Sequence, residues 1–164
     1  MGYHTEFQGH FLLDKPLEEN HKKYLTKFSG TRRMKRNSSV AESFKDTLRT
    51  SVNLPIGRDG CYYVGATGFA GQDRDSSVID YNNPPTDQPG LWCQWIPNEE
   101  GTAIEWDGGE KFYDYVKWLN YIIDNFLKPW GYTINGEVSW KGEEHSDIGT
   151  IIVTDNKVTT RRKK

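Results

Sequence analysis

FYDYVKWLNYIIDNFLKPWGYTINGEVSWKG, residues 112–142, is the stretch that decides the fold, because a helical pattern and a strand pattern follow each other in it. In its first half, apolar residues recur at spacings of three and four, which predicts an amphipathic helix of about five turns. The apolar stripe consists of Phe112, Tyr115, Val116, Leu119, Ile122, Ile123, Phe126 and Leu127. Asp107 can cap the first turn of this helix, and Pro129 ends it.

The second half of the stretch predicts a long strand, although the pair Asn135-Gly136 is typical of a tight hairpin turn. A two-residue turn would place Ile134 opposite Glu137 on the same face of the hairpin. One continuous strand keeps the apolar side chains on a single face, and these belong to Tyr132, Ile134, Val138 and Trp140. We therefore predict a continuous strand.

Further strands are predicted on both sides of this stretch. Residues 3–11 alternate between apolar and polar, and residues 61–66 (CYYVGA) have the composition of a strand. Residues 91–97 and 102–107 are predicted to form a hairpin, in which at least one of Trp92 and Trp95 is buried. A second hairpin is predicted around Asp155-Asn156.

Two more helices complete the predicted element order. Residues 16–28 have helical spacing up to Gly30, and a short helix is predicted over 41–48. This order predicts an α+β fold, with a mostly antiparallel sheet of about six strands and two main helices on one face. We expect a single domain over residues 1–160 and a basic, disordered tail at 161–164.

Composition points to an ordered, soluble protein with one hydrophobic core. The chain has 164 residues, and its 13% aromatic content compensates for a low hydrophobic content of 35%. It has no apolar run that would predict a leader or a membrane span. Cys61 and Cys93 have no metal-ligand spacing, and two reduced, buried thiols are expected rather than a disulfide. These features predict a cytoplasmic protein without a membrane partner.

The charges are strongly segregated along the chain. Residues 22–36 hold seven Lys or Arg and no acid, whereas residues 86–114 hold seven Asp or Glu against one Lys. A net charge of −2 argues against general nucleic-acid binding, which requires a broadly basic face. We therefore expect two surfaces of opposite sign.

The basic segment 31–36 and the long polar segment 67–90 are the predicted binding elements. Arginines after a helix can form a fork for phosphate or carboxylate groups, and half-exposed aromatics beside them suit recognition of a partner. The alternative is a solvated basic loop that balances the acidic segment. The predicted ligand- or partner-binding set is Arg32, Arg33, Lys35, Arg36, Asp73, Arg74, Tyr81, Trp92, Trp95 and Trp106.

Catalytic and metal sites are not predicted. Glu105 and Asp107 share a strand face, but such spacing is common in turns and helix caps. No nucleophile motif is present, and the glycines of GATGFAG, residues 65–71, are not followed by the helix that a dinucleotide site requires. The loop 143–147 (EEHSD) has metal-ligand residue types, but we assign no metal and no cofactor to it.

A resemblance to known proteins is carried by four segments: LDKPL, TRRMKR, GLWCQWIP and GTAIEWDGGEKFYDYVKWLNYIIDNFLKPWGYTINGEVSWKG. In these segments the chain resembles a family of small uncharacterised proteins of bacteria and their phages. The family has no assigned activity, so no catalytic residue is transferred. The resemblance implies a cytoplasmic accessory protein. If such a protein is encoded by a phage, the resemblance implies that it acts by binding a host component, such as a defence protein.

Three hypotheses on function follow. The first is a non-enzymatic binding protein that recognises an acidic macromolecular partner or a nucleotide-like anion. The second is a small nucleotide-directed hydrolase or transferase, with acids from Glu105, Asp107, Asp73 and Asp75. The third is a self-associating structural protein with an aromatic interface between its copies.

Overall fold

A computed structural model of the chain describes residues 2–65 and 74–163. It is an α+β fold with 24% helix and 28% strand, in which a six-stranded, mostly antiparallel sheet is accompanied by few helices, as predicted. The chain forms two compact units. We call Met1–Leu17 with Gln94–Lys164 the sheet unit, and Glu18–Cys93 the arginine unit. The expectation of one domain over 1–160 stays a prediction.

The sheet unit is built on two long central strands. β1 (Thr5–Leu13) pairs antiparallel with β6 (Ile134–Gly142) along the full length of both. The continuous strand predicted through Asn135-Gly136 is therefore confirmed. Gly136 has a φ of +149°, and a Cβ atom there would lie 2.7 Å from the carbonyl oxygen of His10. The glycine allows the two strands to approach closely, and it does not mark a turn.

Four more strands complete this sheet: β4 (Trp95–Pro97), β5 (Ala103–Trp106), β7 (Ile148–Thr154) and β8 (Lys157–Arg162). The strand order is β4-β5-β1-β6-β7-β8. Both predicted hairpins are confirmed, although the first begins at Trp95 rather than at residue 91. Asp155 and Asn156 have φ angles of 47° and 69°, which is the geometry of a tight two-residue turn.

The tail expected to be disordered at 161–164 is instead partly a strand. β8 extends through Arg162, and the backbone N–H of Lys163 donates to the carbonyl oxygen of Ile148 at 2.9 Å. Backbone hydrogen bonds to β7 hold this charged segment in the sheet.

The predicted long helix lies in the sheet unit. α4 (Tyr115–Ile122) continues as a π-helical turn over Ile123–Leu127. Its start was predicted too early, and Asp107 does not cap it: the Asp107 carboxylate accepts from the N–H of Gly109 at 2.7 Å in a local turn. The helix residues that are almost completely buried are Trp118, Leu119, Ile122, Ile123, Phe126 and Leu127.

An aromatic cluster forms part of the core of the sheet unit. Phe7 and Phe112 contact Trp95 edge-to-face, with ring centroids 5.5 and 5.3 Å from the indole. Phe11 contacts the same indole edge-to-face, with ring centroids 5.7 Å apart. Such pairs add to the free energy gained by burial, so this cluster fixes β1 and β4 in the unit.

The arginine unit has short elements. These are α1 (Glu19–Ser29), β2 (Lys35–Arg36), α2 (Ser38–Glu42), α3 (Thr47–Ser51) and β3 (Val78–Asp80). β2 and β3 pair antiparallel as a two-stranded sheet. The single helix predicted over 41–48 is two short helices, and the segment 67–90 contains β3.

The strand predicted over 61–66 is wrong for its described residues, 61–65, which have turn or irregular structure. The carbonyl groups of Cys61 and Tyr63 accept hydrogen bonds from Arg33 instead of from a neighbouring strand. Cys61 and Cys93 are both buried and do not form a disulfide, as expected. Among the residues that the structure describes, no helix is long and apolar enough to cross a membrane.

Candidate functional site

Arg33, a predicted binding residue, is an internal structural residue of the arginine unit. Its side chain is 2% exposed, and its Nη2 atom donates to the carbonyl oxygens of Cys61 and Tyr63, each at 2.8 Å. Its guanidinium also lies over the ring of Phe28, 4.2 Å from the ring centroid. The prediction that Arg33 faces an external partner is therefore wrong, because its guanidinium holds together segments of its own unit.

Arg36 is also buried, and its charge is neutralised internally. Nη1 of Arg36 lies 2.9 Å from a carboxylate oxygen of Asp75 and 2.8 Å from the hydroxyl of Ser77. Its guanidinium lies 4.4 Å from the ring centroid of Tyr63. Burial alone would raise the pKa of Asp75, but hydrogen bonds from Ser77 and Arg36 outweigh burial and lower this pKa. Arg36 and Asp75 are thus occupied by each other.

Lys35 is half-buried between carboxylates. Hydrogen bonds from Asn83 and Asn82 are the main cause that lowers the pKa of Asp80, and the charge of Lys35 contributes to it. Asp59 has a lowered pKa mainly through hydrogen bonds from Thr86, again with a contribution from Lys35. Lys35 therefore shares its charge with acids of its own unit.

A buried ion pair in the arginine unit was missed by sequence reasoning. Nε of Arg49 donates to Asp46 at 2.7 Å, and the side chain of Asp46 is completely buried. Burial raises the pKa of Asp46, and the guanidinium of Arg49 opposes this shift. The i, i+3 spacing of an acid and an arginine in DTLR was the available signal, but the same spacing is common on exposed helices.

Arg32, Arg74 and Tyr81 form the one group of predicted site residues that the described structure brings together in an accessible position. We call these three residues the Tyr81 cluster. Nε of Arg32 donates to the carbonyl oxygen of Tyr81 at 3.0 Å, and its guanidinium carbon lies 4.1 Å from the centroid of the Tyr81 ring. The guanidinium carbon of Arg74 lies 5.2 Å from the same centroid. Arg32 and Tyr81 are half-buried, and Arg74 is exposed.

The two guanidiniums of the Tyr81 cluster carry charge that no described carboxylate neutralises. Within residues 2–65 and 74–163, neither Arg32 nor Arg74 has an ion pair with Asp or Glu. The acids next to them in sequence are engaged elsewhere: Asp75 pairs with Arg36, and Asp80 accepts from Asn82 and Asn83. Asp73, also predicted as a site residue, lies outside the described residues.

The predicted tryptophans do not form one site. Trp95 is 1% exposed in the core of the sheet unit, where its indole N–H donates to the carbonyl oxygen of Tyr115, so its predicted binding role is wrong. Its burial confirms that at least one of Trp92 and Trp95 is a core residue. Trp106 is half-buried, packs on Phe7 and donates to Gln94. Trp92 is half-buried in the arginine unit.

Two acids of the enzyme hypothesis have partners within the protein. Asp75 pairs with Arg36, and Asp107 accepts from the N–H of Gly109. Glu105 lies on β5, opposite Ile96 of β4. Over the described ranges, no group of three or more His, Cys, Asp or Glu side chains could hold a metal ion.

The fold and the site define an α+β protein with a cationic, aromatic-backed cluster in its arginine unit. No protein-family model, curated protein or solved structure matches this sequence. The resemblance to a family of bacterial and phage proteins therefore stays a prediction.

Proposed function

We propose that this protein is a non-enzymatic binding protein that recognises a phosphate-bearing, nucleotide-like anion at the Tyr81 cluster. The observation that carries the proposal is the pair of guanidiniums within 4.1 and 5.2 Å of one tyrosine ring centroid, without a described carboxylate partner. Arginine is the residue best suited to phosphate, since its planar fork can donate two parallel hydrogen bonds.

The charge balance favours phosphate over a carboxylate. A terminal phosphate carries a charge of about −1.5 to −2 at pH 7, which matches two guanidiniums, whereas a carboxylate matches only one. The bond from Nε of Arg32 to Tyr81 orients this guanidinium before a ligand arrives, which reduces the entropy lost on binding. The exposed position of Arg74 provides access for the ligand.

The proposal includes a cytoplasmic setting and an accessory role in a bacterium or its phage. The two buried cysteines, which form no disulfide, support a reducing compartment. An accessory role rests on the family resemblance alone. In such a role, the bound anion would be a cellular nucleotide or a phosphate group on a host component.

Isothermal titration calorimetry with ATP and pyrophosphate tests the proposal, with adenosine as the ligand that lacks phosphate. Each charge-assisted hydrogen bond contributes about 1.5–3 kcal/mol. Arg32→Gln and Arg74→Gln should therefore each weaken binding by about 10- to 150-fold. Arg58→Gln is the matched control, because Arg58 is an exposed arginine of the same unit outside the cluster.

Three results would count against the proposal. Adenosine binding as tightly as ATP would show that phosphate is not recognised. Equal losses in Arg58→Gln and Arg32→Gln would show only a general charge effect. Binding of hexaglutamate at the cluster, without binding of ATP or pyrophosphate, would replace phosphate by an acidic protein surface as the partner.

A further inference from the structure

β8 is a long, exposed edge of the six-stranded sheet. It lies last in the strand order, and five of its six residues are exposed. The opposite edge, β4, is only three residues long and ends in Pro97, which has no N–H to offer. β8 is therefore the edge of this sheet at which a further strand can pair.

The backbone groups that β8 directs outward follow from its register. Thr154 pairs with Lys157 across the turn, and the N–H of Lys163 donates to Ile148. In an antiparallel pair, hydrogen-bonded and non-hydrogen-bonded positions alternate. The N–H and C=O groups of three residues therefore point away from β7, and these residues are Val158, Thr160 and Arg162.

These outward groups lie in a row at intervals of about 6.8 Å, the spacing of alternate residues in a strand. Outside the β7–β8 ladder, no backbone hydrogen bond of the three residues is found in the described part of the chain. The row provides three donors and three acceptors in the pattern that an added strand requires.

The charge of this edge is positive. Lys157, Arg161, Arg162 and Lys163 lie on or next to β8, and the side chains of Arg161 and Arg162 are 70% and 71% exposed. The guanidinium of Arg161 lies 3.8 Å from the carboxylate of Glu137, and that of Arg162 lies 3.7 Å from the carboxylate of Asp147. Ion pairs this long between exposed side chains are weak, so both arginines keep most of their charge for a partner. Since Asp147 also accepts from Tyr3 and Trp140, it is shared rather than dedicated to Arg162.

We propose that β8 accepts an extended, acidic segment of a partner protein as a seventh strand of the sheet. A second copy of this chain is the disfavoured occupant, because antiparallel pairing of two β8 strands through their outward residues would place Lys157 opposite Arg161 or Lys163 of the other copy. Acidic residues at alternate positions of the added strand would instead lie beside Lys157 and Arg161. This inference concerns the sheet unit and does not depend on the proposed phosphate site.

Hydrogen exchange measured by NMR tests the proposal on the unchanged protein. The probe is an eight-residue peptide that alternates Glu and Val, and the control is the same peptide with alternate backbone nitrogens methylated. In the free protein, the amides of Thr160 and Arg162 should exchange fast, and those of Thr159 and Arg161 should exchange slowly. At a peptide concentration ten times its Kd, the outward amides should exchange about tenfold more slowly.

Two variants separate the contributions of backbone and charge. Thr160→Pro removes an outward N–H without removing a bond to β7, and it should abolish peptide binding. Lys157→Gln with Arg161→Gln should weaken binding and reduce its dependence on salt. If the proline variant does not fold, the methylated peptide still tests strand pairing, since it should not bind to the natural protein.

The proposal is overturned by equal protection with the methylated and unmethylated peptides. It is equally overturned if the acidic peptide changes no amide of β8 at millimolar concentration, or if a Lys-Val peptide protects the outward amides as well as the Glu-Val peptide does. Dimerisation in light scattering that Thr160→Pro abolishes would assign this edge to a second copy instead.

Discussion

Replacing Arg33 by Met should destabilise the protein strongly, although Arg33 lies in a sequence segment that resembles a solvated basic loop. The guanidinium is 2% exposed and donates to two carbonyl oxygens at 2.8 Å. Methionine fills much of the volume but cannot donate. The carbonyl of Tyr63 would lose its hydrogen bond from Arg33, whereas the carbonyl of Cys61 keeps one from Nε2 of Gln88 at 2.7 Å. An unsatisfied buried acceptor costs about 1–3 kcal/mol, and loss of the cation–π contact with Phe28 adds about 0.5–2 kcal/mol.

Together these contributions predict a loss of about 2–5 kcal/mol in the free energy of unfolding. In a chain of this length, such a loss lowers Tm by about 4–20 °C. Thermal unfolding followed by circular dichroism measures it. Arg32→Met is the matched control, because Arg32 is half-buried and should contribute less than about 1 kcal/mol. Equal Tm values for Arg33→Met and the natural protein would refute the structural role of the guanidinium.

Two further predictions concern the sheet unit and the effect of pH. Gly136→Ala should lower the free energy of unfolding by at least about 2 kcal/mol, since the φ of Gly136 is +149° and the new Cβ would lie 2.7 Å from a backbone oxygen. Gly108→Ala is the control: no atom lies within 4 Å of its new Cβ, so it should cost only the backbone strain of a positive φ. The melting temperatures of the two variants test this prediction, and equal values would contradict it. The lowered pKa of Asp75 means that its ion pair stabilises the folded state above the unfolded pKa of 3.8, and that this contribution is lost as the pH falls through the folded-state pKa. Urea unfolding at pH 7 and at successively lower pH should therefore show a smaller acid-induced loss of stability for Asp75→Asn than for the natural protein, and parallel losses would rule out this contribution.

The sheet and the long helix were accessible from the sequence because local periodicity reports the buried face of an element. The alternation around Phe7 and Phe11 predicted β1, and the apolar stripe through Leu119 and Phe126 predicted the helix. Even Asn135-Gly136, a common hairpin signal, was assigned to a strand from the register of its neighbours. Such patterns depend only on residues close together in the chain.

The burial of the arginines in the basic segment could not be predicted from the sequence, because it depends on contacts between residues far apart in the chain. Arg33 donates to carbonyls 28 and 30 residues away, and Arg36 pairs with a carboxylate 39 residues away. Nothing in TRRMKR distinguishes these two arginines from Arg32. The same contacts explain why the strand predicted at 61–65 is absent. The apolar composition of these residues reflects their burial around the guanidiniums and not hydrogen bonding in a sheet. Trp95 was predicted as a binding residue, but it contacts Phe7, Phe11 and Phe112 in the core of the sheet unit.

The most direct test of the proposed function is to observe the arginine side chains during a titration with pyrophosphate. NMR spectra that resolve the Nε–H groups report each guanidinium separately. We predict that the signals of Arg32 and Arg74 shift together along one saturable curve, while those of the buried Arg33 and Arg36 stay in place. Shifts of equal size at Arg58, or no shift at Arg32 and Arg74 at saturating pyrophosphate, would contradict recognition of phosphate by the Tyr81 cluster.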